Sequence, residues 1–142
     1  LQATTSLRSI VANAPPVPSG GPAGFDADTW LISSVFNTRV TGGAAFNTIS
    51  WQGTLNAGRV GFQIAASNNP AGPWTDTDFH GPDGSSNSIY ETGGPNTQLS
   101  FAQAAALRRN TNNNQYVRYK IWLAWAGAVS PQVNDVIISY SP

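Results

Sequence analysis

The sequence predicts an all-β domain: an antiparallel β-sandwich of jelly-roll-like form, with seven or eight strands, one short helix and an extended N-terminal arm. Three observations carry that expectation. Apolar and polar residues alternate over short runs, clusters of Gly, Pro and Asn separate those runs, and one Pro/Gly-rich stretch cuts a short arm from the remainder. The chain has 142 residues, the size of one domain with one core.

In chain order, residues 1–12 form the arm. Leu1, Ala3, Thr5, Leu7, Ser9 and Val11 share one face if the segment is extended, with Gln2, Thr4, Ser6 and Arg8 opposite and Ile10 breaking the pattern. A helix carrying Leu7, Ile10 and Val11 is the competing reading, and a lone helix of that length is marginal in water. Residues 13–24 hold four Pro and three Gly, which excludes a helix or an interior strand and makes them a linker. In polyproline-like form such a linker reaches about 35 Å.

The sandwich domain is assigned to residues 25–142. Its first apolar run is 30–37, closed by Thr41-Gly-Gly43. Ile49 and Trp51 then alternate with Thr48, Ser50 and Gln52 in a strand at 45–53. The cleanest strand is 59–67, where Val60, Phe62, Ile64 and Ala66 face one way and Gly61, Gln63 and Ala65 the other. A turn at 68–73 leads to Trp74, which opens the partner segment. Shorter strands are expected at 88–92 and 97–101, around Gly93-Gly-Pro95.

The one helical signal lies at 101–109, where Ser100 and Gln103 form a capping box, four Ala favour the helix, and Arg108 and Arg109 suit its negative end. A long strand at 115–125 sets Val117, Tyr119, Ile121, Leu123 and Trp125 against Tyr116, Arg118, Lys120 and Trp122. The last strand, 132–141, sets Asn134, Val136, Ile138 and Tyr140 against Asp135, Ile137 and Ser139.

Composition narrows the function. Only 10% of the residues are charged, with seven cations cancelling seven anions, against about 25% in an ordinary soluble domain. Nucleic-acid binding needs clustered Lys and Arg, and polybasic membrane anchoring needs the same, so neither is expected. No apolar run is long enough for a membrane span. About a third of the chain is Ser, Thr, Asn or Gln, giving an amide- and hydroxyl-rich surface with little repulsion between copies. The absence of Cys removes disulfides and thiolate metal sites, and the absence of Met suggests a processed chain or a fragment.

Catalytic patterns are thin. His80 is the single histidine and reads as a loop residue, and Glu91 is the single glutamate, with no spacing that pairs it for glycoside hydrolysis. No catalytic residue and no cofactor are assigned. Asp76, Asp78 and Asp83 form the densest acidic cluster, a weak calcium candidate that lacks the twelfth-position Glu of an EF-hand and lies where turn Asp residues are expected anyway.

Two binding readings remain. Trp74, Tyr116 and Trp122 are candidate aromatics for stacking on sugar rings or for packing against another subunit; both sheet faces covered within one domain is the structural alternative. The arm must pair with a sheet, in its own subunit or a neighbour's, because a lone strand leaves its backbone groups unpaired. Donated to a neighbour, it makes a head-to-tail contact that builds an open filament, with Leu1, Ala3, Thr5, Leu7, Ser9 and Val11 as the interface.

The runs Phe46-Asn-Thr-Ile-Ser-Trp51, Val60-Gly-Phe-Gln-Ile-Ala-Ala-Ser67, Gly72-Pro-Trp74, Gly81-Pro-Asp-Gly84, Asn113-Asn-Gln-Tyr-Val-Arg-Tyr-Lys120 and Pro131-Gln-Val-Asn-Asp-Val-Ile-Ile138 occur in that order. As an ordered set over about residues 30–141 they resemble secreted bacterial β-sandwich domains, such as the C-terminal domains of pilin-like and surface proteins. The resemblance implies a jelly-roll head at the cell surface and transfers no catalytic residues. The arm departs from the long apolar helix of type IV pilins, and the Ala-rich 101–109 stretch from an expected short loop. The combined expectation is a structural subunit of an extracellular filament or pilus, a homopolymer assembled by strand exchange. The alternative is a carbohydrate-binding adhesion module that recognises surface glycans.

Overall fold

The computed structural model describes residues 2–6, 20–101 and 111–142. Among the described residues nine strands lie in order: β1 (Gln2–Ser6), β2 (Trp30–Ile32), β3 (Phe36–Asn37), β4 (Ala45–Thr54), β5 (Arg59–Ser67), β6 (Tyr90–Glu91), β7 (Leu99–Ser100), β8 (Tyr116–Ala124) and β9 (Gln132–Ser141). One sheet runs β1-β9-β4-β7 and the other β2-β8-β5-β6, with β3 also pairing β8 so that β2 and β3 lie along the same side of that strand. Every pairing is antiparallel, and the domain is the all-β sandwich that the alternation predicts.

The long strands fall where the periodicity puts them; the short ones are trimmed or split. The 30–37 run becomes β2 and β3, and the partner segment after Trp74 is a 3-10 turn, Asp76–Asp78, rather than a strand. A second 3-10 turn, Pro22–Gly24, takes the end of the Pro/Gly stretch. The helix expected at 101–109 lies outside the described residues except for Phe101, which is a buried bend.

Between the sheets sits one core. Phe46, Ile49 and Trp51 of β4 and Val136, Ile138 and Tyr140 of β9 meet Val60, Phe62 and Ile64 of β5 and Val117, Tyr119, Ile121 and Leu123 of β8. The β4–β9 ladder shifts register twice, between Phe46 and Thr48 and between Gln52 and Gly53. At the second shift a Cβ on Gly53 would stand 2.0 Å from the Gln132 carbonyl oxygen, so only glycine fits. The shift also changes the phase of β9: Val133 enters the core and Asn134 is exposed, correcting the expected alternation.

The two sheets differ on their outer faces. Along β9 buried positions alternate with more exposed ones, as in a half-solvated strand. In β5 every residue from Val60 to Ala65 is buried, and β8 is buried continuously from Tyr119 to Leu123. Residues 20–30 and 74–89 lie against that outer face. Phe25 reaches Gly61, where an added Cβ would stand 3.1 Å from its ring, and Phe25 also packs at 6.4 Å against Trp122. Trp122 is consequently 4% exposed, which corrects its reading as a surface aromatic.

Candidate functional site

Two regions carry the features that matter for function: the side of β9 that β1 covers and a cleft on the outer face of the β2-β8-β5-β6 sheet.

At the first, β1 adds to β9 in its own chain, with Gln2 opposite Ser139, Ala3 opposite Ile138, Thr4 opposite Ile137, Thr5 opposite Val136 and Ser6 opposite Asp135. Ala3 and Thr5 of the predicted arm face are therefore in register with the two core-facing β9 residues Ile138 and Val136. Leu1, Leu7, Ser9 and Val11 lie outside the described residues.

The outer sides of β8, β5 and β4 are closed by segments that lie after the Pro/Gly stretch. The outer side of β8 takes β2 and β3, supplemented by the Ser33 amide on the Tyr119 carbonyl and the Thr38 amide on the Gln115 carbonyl, both at 2.9 Å. The outer side of β5 takes β6 and a reciprocal backbone pair between Ile64 and His80, each bond 2.9 Å. The outer side of β4 takes β7 and the amides of Asn96 and Phe101, which donate to the Trp51 and Asn47 carbonyls at 2.8 Å. Among the described residues, the ten-residue β9 alone relies for its outer side on a strand tethered through the Pro/Gly stretch.

The cleft, about 220 Å³ in volume, is lined by Trp30, Asp76, Thr77, Ser86, Lys120 and Trp122 among others. Its floor is a closed polar network. Trp122 Nε1 donates to Gln63 Oε1 at 3.0 Å, and Gln63 Nε2 donates to the carbonyls of Ser86 and Ser88 at 2.8 and 3.0 Å. Every polar atom of the buried Gln63 side chain is thus used, which meets the cost of placing an amide in a packed sheet. Lys120 is also buried; its ammonium meets Asp76 Oδ1 at 3.0 Å and stands 4.1 and 4.7 Å from the ring centroids of Trp30 and Trp122.

The predicted aromatic set does not converge. Trp74 stands apart with its indole N–H on the Pro70 carbonyl at 3.1 Å and the Arg118 guanidinium 5.8 Å from its ring, Tyr116 is half-buried at the start of β8, and Trp122 is in the cleft floor. Burial lowers the pKa of Arg118 from its ordinary value. Trp30, 40% exposed at the cleft mouth, is the aromatic that the sequence reading missed, because it was absorbed into an apolar run. Gln63 was legible in principle: an amide among Val60, Phe62, Ile64 and Ala65 signals a buried, fully bonded group.

The acidic cluster is divided among three structural tasks. Asp76 pairs with Lys120, while Asp78 Oδ2 accepts the Thr75 amide at 2.7 Å and its hydroxyl at 2.6 Å as a turn cap. Asp83 Oδ1 accepts the Ser88 hydroxyl and, at 2.7 Å, the Ser85 amide. Those bonds, the Ser88 hydroxyl foremost, hold the Asp83 carboxyl below the usual carboxylate range. Among the described residues no three His, Cys, Asp or Glu side chains are arranged to hold a metal, which corrects the calcium candidate.

Glu91 accepts a bidentate pair from Arg59, at 2.6 and 2.7 Å, which raises the guanidinium pKa; Arg59 also covers the Phe25 ring at 4.3 Å. That pair ties β6 to β5 and to the 20–25 segment. Among the described residues no helix is long and apolar enough to cross a membrane. No family model, no curated protein and no solved structure matches the chain.

Proposed function

We propose that the protein is a structural subunit that polymerises head-to-tail by strand exchange, with the arm of one copy filling the β9 edge of the next. One observation carries the reading. The three other long strands have their outer sides paired by segments that lie within residues 30–101, whereas β9 is completed by a short strand joined to the rest of the chain through the Pro/Gly stretch. The same backbone ladder forms whether β1 comes from its own chain or from another, so exchange gains and loses nothing in the pairing itself. Tether length and subunit concentration then decide between the closed monomer and the open chain, because tethering acts as an effective concentration.

A chain with only 14 charged residues and no net charge suits copies stacked side by side. The resemblance of the ordered sequence runs to secreted bacterial surface domains favours a filament outside the cell. This reading assigns no catalytic step.

The chain has no native Cys, so a register pair can be trapped cleanly. Thr4→Cys with Ile137→Cys places two thiols on opposed residues of β1 and β9, within the span that a disulfide bridges. Oxidation of the concentrated protein is expected to give a ladder of covalent oligomers on a non-reducing gel. A product confined to covalently closed monomer at every concentration overturns the proposal. Removal of residues 1–12 is expected to abolish polymers seen by electron microscopy; polymers that persist without the arm overturn it equally.

A further inference from the structure

The cleft beside Trp30 is separate from the β1–β9 pairing and shares no residue with it. Four features give it the character of a prepared binding site. First, Trp30 is exposed yet fixed: its indole N–H donates to the Ala27 carbonyl at 2.8 Å, and its ring leans on Trp122 at 6.4 Å. An aromatic wall held this way has already lost the rotamer freedom that binding otherwise removes. Second, the Lys120 ammonium has three N–H donors, and Asp76 is its one hydrogen-bonding partner among the described residues. Third, the Asp76 side chain is 77% exposed, so its carboxylate retains lone pairs for a ligand. Fourth, Thr77 and Ser86 line the same cleft with hydroxyl-bearing side chains.

These groups select a ligand class. Lys120 and Asp76 neutralise each other at 3.0 Å, so a net-charged ligand finds no field to draw it in. A zwitterion would have to separate the pair to satisfy both its ends, whereas a hydroxyl can donate to the carboxylate and accept from the ammonium while leaving the pair intact. A flat aromatic ligand would cover Trp30 and leave the polar wall unanswered. A ring with hydroxyls along its rim and an apolar C–H face meets both walls at once. The volume of about 220 Å³ falls below the roughly 300–1,000 Å³ of sites for drug-sized ligands, which limits the occupant to one ring. We propose that this cleft binds a single neutral pyranose, its C–H face on Trp30 and its hydroxyls on Asp76 and Lys120, either as a free sugar or as the terminal residue of a glycan.

The test is a nitrogen-15 NMR titration of the full chain with glucose, galactose and mannose, and with their methyl glycosides. Millimolar, saturable shifts are expected at the Trp30 indole N–H and the Thr77 amide. Preference for the glycoside assigns the site to a chain terminus, and preference for the reducing sugar assigns it to free monosaccharide; either supports the proposal. Affinity is expected to fall at least about tenfold in Trp30→Ala and in Asp76→Asn, and to be unchanged in Trp74→Ala. Asp76→Asn alters an exposed side chain and keeps the test decisive if Trp30→Ala does not fold. Three outcomes overturn the proposal: no shift with any neutral sugar, shifts that survive both substitutions, or saturable binding of glycine or glucuronate in place of the neutral rings. None of them bears on strand exchange, which is read from covalent oligomers.

Discussion

The two sheets of the sandwich share one core and differ in what lies behind it. The β1-β9-β4-β7 sheet turns a hydroxyl- and amide-bearing face outward, with Thr48 and Ser139 bonded to each other at 2.6 Å and Gln52 exposed. The β2-β8-β5-β6 sheet is packed on both sides, with Gln63, Lys120 and Trp122 enclosed by the 20–30 and 74–89 segments. The sheet wetted on one face is also the one whose edge is completed by the arm strand β1. A sheet covered on both faces can hold a preformed cleft, because its polar groups are fixed before any ligand arrives.

The comparison is broken most forcefully at Trp122. If the second sheet is a two-sided core, Trp122→Ala costs about 3–5 kcal/mol of unfolding free energy, while Gln52→Ala on the outer face of the first stays within about 0.5 kcal/mol. Chemical denaturation of both variants measures the contrast, and equal effects would erase the distinction between the faces. A smaller loss is expected for Gln63→Ala. It strands the Trp122 N–H and two carbonyls, at about 2–4 kcal/mol, and Trp122 fluorescence should shift to the red as water enters the floor.

The smallest effect sharpens the boundary of the covering segment. Asp83 is held below its ordinary pKa when folded, so its contribution to stability is full above the unfolded carboxylate range and is lost as pH falls through the folded value. Ser88→Ala removes the leading cause, and the Asp83 carboxyl, followed by carbon-13 NMR, should titrate at higher pH than in the parent. Its stability difference from the parent should vanish in acid.

Much of this was legible in the residues. In β5 and β9 the strand bounds follow the alternation and its flanking turn residues, because local sterics and burial act on the same few positions. Trp122 was not legible as core. Its strand face also carries Tyr116, Arg118 and Lys120, a mixture typical of a solvated surface, and what buries it comes from segments distant in sequence. The calcium reading failed for a related reason: Asp76, Asp78 and Asp83 are close in sequence, but each is claimed by a different partner, at Lys120, Thr75 and Ser88. Trp30 illustrates a third limit, since a run of apolar residues does not reveal which member the fold leaves uncovered.

The arm's register with β9 also orders events in time. Thr4 is made long before Ile137, so on a ribosome β1 waits for its partner until β2 to β8 have been made. Of all the strand pairings described, this one joins the residues farthest apart along the chain, and a pairing so remote closes late.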